Sequence, residues 1–335
     1  MKAEIHPGYD KKRIILGEAI PLHTPFTIFI NPSTICNFKC RYCTHGKSQE
    51  ELEKLDFKQK NMDYDLFLTA AGQLKEFPDK FKLIYLYGNG EPLCNPRLTD
   101  MVEHLSRLNV TEKLEFFTNG ALLSHEKSLS LIDAGLTKIK VSIQAVTSGK
   151  YREITGADCN IDKLIEQIGF FYKHRKKCKV YVKIMDDGLP NEEKDRFYQL
   201  FGDICDEIYI EHMTFTQRTM DGYENMIKDK VDLYGEPMIE SNICIFPFYV
   251  LRIGVDGELN PCFENIFSEE INIRNMRIYE YWNSKLLRDF RLLHLRNSRD
   301  QNPLCNGCRC LATTIKPEDR IDNYADQILR RMGEK

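Results

Sequence analysis

The strongest constraint on the fold is a regular alternation of short β-rich runs with longer helical patterns, which begins at Phe26. Parallel strands are joined by crossovers long enough to hold a helix, so this alternation is typical of parallel βαβ units. We therefore predict an α/β fold in which six strands form a partial (β/α)6 barrel. The six runs cover residues 26–31, 82–87, 113–118, 138–143, 179–185 and 207–212.

Helical patterns fill the gaps between these runs. Ser124 suits a helix start, because its side chain can accept hydrogen bonds from first-turn N–H groups, and Gly135 suits the turn after the helix. Active sites in such barrels form where loops leave the C-terminal ends of the strands, so residues directly after each run are the first candidates. The polar stretch 48–61 is interpreted as a solvated connector, and helices are predicted over residues 63–77, 96–108, 124–135, 161–175 and 191–201.

The composition narrows the class of protein. The 335 residues are 42% hydrophobic, which suits one large domain with a smaller unit. A net charge of −3 is too balanced to predict nucleic acid or a membrane as a partner. The N-terminus lacks a signal-peptide pattern, and the longest apolar run, 243–251, is far shorter than the roughly 20 residues of a membrane span. We expect a soluble, cytoplasmic protein. Because disulfides rarely persist in the cytoplasm, the twelve cysteines indicate metal or cluster ligation.

The first cysteine group follows the first β-run as C-x3-C-x2-C, at Cys36, Cys40 and Cys43. A closed four-ligand site needs a fourth donor, whereas three ligands on a [4Fe–4S] cluster leave one iron open. Tyr42 precedes the third cysteine and suits a ring packed beside a flat adenine. The alternatives are a zinc site with His45 as the fourth ligand, or buried free thiols.

A glycine-containing loop, Gly88-Asn89-Gly90-Glu91-Pro92, follows the second β-run. Glycines let the backbone approach a ligand closely, and the Glu91 carboxylate can accept hydrogen bonds from an ammonium group. Taken alone, the loop could be an ordinary turn. Further candidates at the predicted barrel mouth, which could also serve strand-end hydrogen bonding, are Asn119, Ser142 and Gln144.

A second cysteine group lies in residues 241–310, which hold five of the twelve cysteines. Residues 255–259 contain an Asp-Gly pair that predicts a hairpin turn, which would bring the flanking cysteines together. Four ligands would close an iron–sulfur or a zinc site. The candidate metal ligands are Cys244, Cys262, Cys305 and Cys308, with Cys310 close by as a fifth candidate.

The remaining cysteines divide into two kinds. Cys94 follows the Glu91 loop at the predicted mouth, where a thiol could donate a hydrogen atom. Cys159, Cys178 and Cys205 are interpreted as packing thiols. Residues 271–310 carry eight lysines and arginines against three acids, which favours either an anionic substrate or a solvated helix face.

The first cysteine group resembles the C-x3-C-x-Φ-C signature of the radical S-adenosylmethionine (SAM) superfamily. This resemblance implies that the open iron binds SAM and that reductive cleavage gives a 5′-deoxyadenosyl radical, with a flavodoxin- or ferredoxin-type reductant. The Glu91 loop looks like the family's G-G-E motif, although Asn89 separates the two glycines. The second group resembles the SPASM/twitch extension, which implies one auxiliary [4Fe–4S] cluster. Together the resemblances cover about residues 26–310.

These features predict four segments and one favoured activity. The segments are a barrel (1–213), a linker (214–240), an auxiliary cluster domain (241–312) and a C-terminal segment (313–335) with a helix over about 318–332. The resemblance implies hydrogen abstraction from an unactivated carbon of a polar small molecule or sugar, with net oxidation such as dehydrogenation of an amino-cyclitol. The short stretch before the first strand favours a small-molecule or sugar substrate over a peptide substrate. Alternatives are a peptide maturase, a radical epimerase and a non-enzymatic metal scaffold.

Overall fold

The computed structural model describes residues 1–186, 188–214 and 231–334. In this part of the chain, nine strands form one sheet. The strands are β1 (Glu4–Ile5), β2 (Thr27–Ile30), β3 (Leu83–Leu86), β4 (Leu114–Thr118), β5 (Lys138–Ile143), β6 (Lys179–Asp186), β7 (Glu207–His212), β8 (Val250–Ile253) and β9 (Leu259–Asn260).

The strand order is β1-β7-β6-β5-β4-β3-β2-β8-β9. Strands β2 to β7 are neighbours in chain order and pair in parallel, so all six predicted β-runs and the α/β fold are confirmed. Strand β8 adds to β2 in parallel, and β9 folds back on β8 in the predicted hairpin. Gly257 has a φ of +91° at this turn, where a side chain would be strained. The sheet is therefore continuous from the barrel strands into the segment that carries the second cysteine group.

The crossover helices between the barrel strands pack on the outer face of the sheet. Period-2 alternation puts Ile84, Leu86 and Phe116 on that face, where each is fully buried. Tyr87 and Phe117 lie on the inner face and are partly accessible. The helices are α1 (Leu16–Ala19), α2 (Gln49–Lys54), α3 (Tyr64–Gln73), α4 (Leu98–Leu108), α5 (His125–Asp133), α6 (Ser148–Thr155), α7 (Ile161–His174), α8 (Asn191–Phe201), α9 (Phe246–Tyr249), α10 (Ile278–Trp282), α11 (Lys285–Leu295) and α12 (Ala325–Arg331).

Two predicted segments differ in the structure. The connector at 48–61 contains helix α2, because Ser48 and Glu51 form a reciprocal capping box at its start. The C-terminal helix begins at Ala325 rather than near residue 318, since two short 3-10 turns precede it. Most of the predicted linker, 215–230, lies outside the described residues, and the division into units stays a prediction. Among the described helices, none has the length and apolar character that crossing a membrane requires.

Candidate functional site

The first cysteine group lies on the loop after β2, at the C-terminal edge of the sheet. Cys36, Cys40 and Cys43 are free thiols that influence one another electrostatically, which brings all three predicted ligands together. Burial raises the pKa of Cys36 to about 12, so without a metal this thiol is protonated at neutral pH. A bound metal would favour the thiolate instead. The loop thus presents three sulfur donors of the kind that iron–sulfur clusters use.

Backbone hydrogen bonds fix the cysteine loop to helix α6. Lys39 N donates to Thr155 O at 2.8 Å and Arg41 N donates to Ile154 O at 2.9 Å. The Tyr42 hydroxyl donates to the Gln144 side chain, which brings two predicted cofactor contacts together across the mouth. The aromatic ring before the third cysteine is therefore held in place by the end of β5.

The loop after β3 is pressed against the segment before the cysteines. Glu91 N donates to Ile35 O at 2.8 Å. A Cβ atom on Gly90 would lie 2.3 Å from the Ser33 carbonyl oxygen, so this close approach requires glycine. Likewise, a Cβ on Gly88 would meet the Asn31 side chain at 2.0 Å. The two loops form one packed unit.

His45, the candidate fourth zinc ligand, belongs to this contact between loops. Its Nε2 donates to the Asn89 carbonyl oxygen at 2.7 Å. Across the described residues, no three His, Cys, Asp or Glu side chains are arranged around a position for a single metal ion. A tetrahedral zinc site would need four ligands within about 2.3 Å of one ion. Because its Nε2 is engaged with Asn89, His45 gains no support from the geometry as a zinc ligand.

The Glu91 carboxylate is engaged inside the protein. It is 3% exposed and accepts hydrogen bonds from Leu93 N at 3.0 Å, the Thr118 hydroxyl at 2.7 Å and Asn119 N at 2.7 Å. Burial nevertheless raises its pKa. The Asn119 side chain in turn donates to Asn37 Oδ1 at 2.7 Å, within the cysteine loop. Glu91 therefore ties the β3 and β4 loops together, a role its position in the sequence did not reveal.

The inner face beside these loops carries an ion pair that the sequence analysis did not single out. Ser142 on β5 and Lys183 on β6 are register partners, so their side chains share the inner face. Lys183 pairs with Glu211 on β7, and Glu211 also accepts a hydrogen bond from Tyr181 at 3.1 Å. The Lys183 side chain is 17% exposed, and its ammonium lies 5.4 Å from the Phe117 ring centre. The polar positions alternating with apolar ones in β6 were the available signal.

Cys94 lies against the cysteine loop. Its sulfur accepts a hydrogen bond from the backbone of Asn37, and its charge would influence Cys36. Burial raises the pKa of the Cys94 thiol, so the thiol keeps its proton at neutral pH. The thiol is half-buried and free.

The second cysteine group lines one cavity. Cys244 precedes helix α9, Cys262 follows strand β9 of the hairpin, and the segment after α11 supplies the others. The lining cysteines are Cys244, Cys262, Cys305, Cys308 and Cys310, so all five predicted ligands converge. Cys159, Cys178 and Cys205 are instead buried in the core, as predicted.

The basic residues of 271–310 are mostly occupied within the protein. Arg277 pairs with Glu76, and Arg288 and Arg296 both pair with Glu334. The Arg291 guanidinium donates to the Pro247 carbonyl oxygen at 2.9 Å. This local excess of positive charge is therefore largely neutralised by ion pairs within the protein and gives no support to an anionic substrate.

Comparisons with known proteins agree with this arrangement. A model of the radical SAM superfamily matches residues 30–204, and a model of the SPASM iron–sulfur cluster-binding domain matches residues 244–309. The tungsten-containing aldehyde ferredoxin oxidoreductase cofactor-modifying protein of Pyrococcus furiosus is 29% identical over 37% of this chain and 32% of its own length. The GTP 3′,8-cyclase of Trichormus variabilis is 34% identical over 36% of this chain and 35% of its own length. The chain thus spans about a third of the length of these two relatives.

Solved structures share the fold. BtrN in complex with AdoMet and 2-DOIA matches with a TM-score of 0.55 and 19% identity, over 88% of this chain and 97% of BtrN. Streptococcus suis SuiB bound to the precursor peptide SuiA matches with a TM-score of 0.59 and 16% identity, over 82% of this chain and 69% of SuiB. At such identities the likeness concerns the fold alone.

Proposed function

This chain belongs to the radical SAM superfamily and carries a SPASM domain, and from that premise we propose that it is an oxidoreductase acting on a polar small molecule or sugar. As a radical SAM enzyme it uses a [4Fe–4S] cluster and SAM, with auxiliary iron–sulfur chemistry in the SPASM domain. The reaction subtype and the substrate class are our proposal.

The residues of the mouth fit these cofactors by their chemistry. Three free thiols on one loop match the donors of a cluster with one open iron. When bound, the reduced cluster and SAM supply a 5′-deoxyadenosyl radical that can abstract a hydrogen atom. We assign the cluster to Cys36, Cys40 and Cys43, and the SAM contacts to Tyr42, Gly88, Gly90, Asn119, Ser142 and Gln144, with Glu91 holding their loops.

The observation that carries the proposal is the polar inner face next to those loops. Burying the Lys183 ammonium beside the buried Glu211 carboxylate costs desolvation energy. The pair becomes useful if a substrate hydroxyl or carbonyl oxygen bonds to Lys183. This favours a polar substrate small enough to enter the barrel.

Net oxidation fits the same groups. Converting an alcohol carbon to a carbonyl removes one hydrogen atom, one proton and one electron. Lys183 and Glu211 can exchange the proton with the substrate oxygen, and a second cluster site offers a place for the electron. The electron acceptor would be held by Cys244, Cys262, Cys305 and Cys308.

A second candidate is radical epimerisation, which the free, protonated Cys94 thiol beside Cys36 favours as a hydrogen-atom donor. Peptide modification also stays a candidate, because SuiB shares the fold and was solved with a precursor peptide. We also propose a cytoplasmic location, where thiols that serve as cluster ligands, such as Cys36, Cys40 and Cys43, stay reduced.

The test is 5′-deoxyadenosine formation by the anaerobically reconstituted protein, reduced by flavodoxin or ferredoxin, with a panel of amino-cyclitols, sugars and peptides. We expect turnover with a polyol. Lys183→Met should lower kcat/KM about ten- to a hundredfold, because a charge-assisted hydrogen bond is lost. Exposed Lys173→Met is the matched control and should have no effect. Turnover with peptides alone, or an unaffected Lys183→Met variant, contradicts the proposal.

A further inference from the structure

Two protein groups face sulfur atoms of the second cysteine cavity. His294 on α11 lines the cavity and is fully buried, and its Nε2 lies 3.9 Å from Cys305 Sγ. In the same cavity, the thiols of Cys308 and Cys310 hydrogen-bond to each other. Each of the two cysteines in the C-x2-C pair, Cys305 and Cys308, therefore has a polar neighbour.

The imidazole of His294 is placed to donate. Its Nδ1 has no hydrogen-bond partner among the described residues, so the Cys305 contact is the one this buried ring makes through its nitrogens. A neutral imidazole carries one N–H, and a ligating thiolate sulfur can only accept. Once Cys305 ligates a metal, the proton must therefore be on Nε2 for the contact to be a hydrogen bond.

Cys310 is the thiol left over. Four cysteines close a [4Fe–4S] site, and five line this cavity. Cys305 and Cys308 have the two-residue spacing common among cluster ligands, whereas Cys310 is in hydrogen-bond contact with Cys308. A thiol that does not ligate keeps its proton and can donate to the neighbouring ligand sulfur.

We propose that His294 and Cys310 donate hydrogen bonds to the cluster ligands Cys305 and Cys308 and thereby raise the reduction potential of the auxiliary cluster. Hydrogen bonds to the sulfurs are among the factors that set this potential, because they stabilise the more negative reduced state. The cluster would be a better electron acceptor, as net oxidation requires. The inference rests on the proposed function, because it assumes a [4Fe–4S] cluster in this cavity.

The test isolates the auxiliary cluster in the full-length chain. Cys36, Cys40 and Cys43 are replaced by Ala, the protein is reconstituted anaerobically, and the midpoint potential is measured by redox titration followed by electron paramagnetic resonance. In this background, His294→Leu and Cys310→Ala should each make reduction about fivefold less favourable, a downward shift of about 40 mV for a one-electron couple. The donor-retaining variants His294→Gln and Cys310→Ser should stay near the parent.

The outcomes distinguish a failure of the hydrogen-bond inference from a failure of the proposed auxiliary cluster. A parent that binds about four irons, with lowered potentials in the Leu and Ala variants alone, supports the inference. Unchanged potentials in those variants overturn it while leaving the auxiliary cluster intact. Equal shifts in the Gln and Ser variants also overturn it, because packing would then be responsible. Loss of iron in Cys310→Ala would make Cys310 a ligand rather than a donor, and a parent without four irons would overturn the proposed cluster as well.

Discussion

At the residue scale, the contacts of Glu91 in the structure differ from the contact that its position in the sequence predicts. Its place after two glycines at a strand end predicts an acceptor for the SAM ammonium group. The structure gives its carboxylate three internal donors, from Leu93, Thr118 and Asn119. These contacts join loops that are 27 and 28 residues apart in the chain, and no local pattern could indicate them. The sequence predicted that Glu91 belongs to the site but not what it contacts.

We predict that Glu91→Gln destabilises the protein even without SAM. The amide nitrogen of Gln cannot accept from the Thr118 hydroxyl or from Asn119 N, so one donor is left unsatisfied at a cost of about 1–3 kcal/mol. Chemical denaturation of the metal-free chain measures this, with exposed Glu126→Gln as the control. SAM affinity should also fall about tenfold, which corresponds to 1.4 kcal/mol. An unchanged free energy of unfolding, together with weaker SAM binding, would instead indicate that Glu91 contacts the SAM ammonium group directly.

At the element scale, periodicity predicted the six parallel strands and the five helices between them. The inner and outer faces of a strand differ in polarity, so register could be anticipated as well. The pairing of β8 with β2 could not be predicted, because the two strands are more than 200 residues apart and a short apolar run does not indicate which strand it pairs with. For the same reason, the spacing of the cysteines predicted that they come together, whereas no pattern predicted that His294 lies among them.

The loop after β3 depends on Gly90 rather than on its side-chain chemistry. Gly90→Ala would force a Cβ to within 2.3 Å of Ser33 O and 2.7 Å of Ile35 O, which are backbone atoms that cannot rotate away. We expect the loop to move from the cysteine segment and SAM affinity to fall at least tenfold. Isothermal titration of the reconstituted protein measures this.

Gly72→Ala is the matched control for that substitution. Gly72 lies in helix α3, and a Cβ there would have no neighbour within 4 Å. This change should raise the free energy of unfolding by about 0.5–1 kcal/mol, since alanine is the better helix former, and leave SAM binding unchanged. Equal SAM affinity in both variants would mean that the close approach at Gly90 has no bearing on the cofactor site.

At the scale of the whole molecule, the two cysteine centres belong to one sheet. Strand β8 pairs with β2, which precedes the first cysteine loop, and leads through the hairpin to Cys262. Next to Cys262, the Phe263 ring packs 4.9 Å from Phe29 on β2, and Phe29 packs against Tyr85. The second cavity is therefore joined to the inner face of the barrel by contiguous aromatic packing. This continuity favours a reaction in which both centres take part.

The mass of the product distinguishes the two reactions such an arrangement could support. If the substrate radical loses a proton and an electron, turnover in deuterated water gives a product two mass units lighter than the substrate. If the Cys94 thiol returns a hydrogen atom instead, the product is one unit heavier, because thiol protons exchange with solvent. We expect the loss of two units, since five cysteines line the second cavity whereas Cys94 lies against the cysteine loop. Cys94→Ala should therefore leave product formation intact. A gain of one unit that disappears in Cys94→Ala would establish epimerisation and contradict net oxidation.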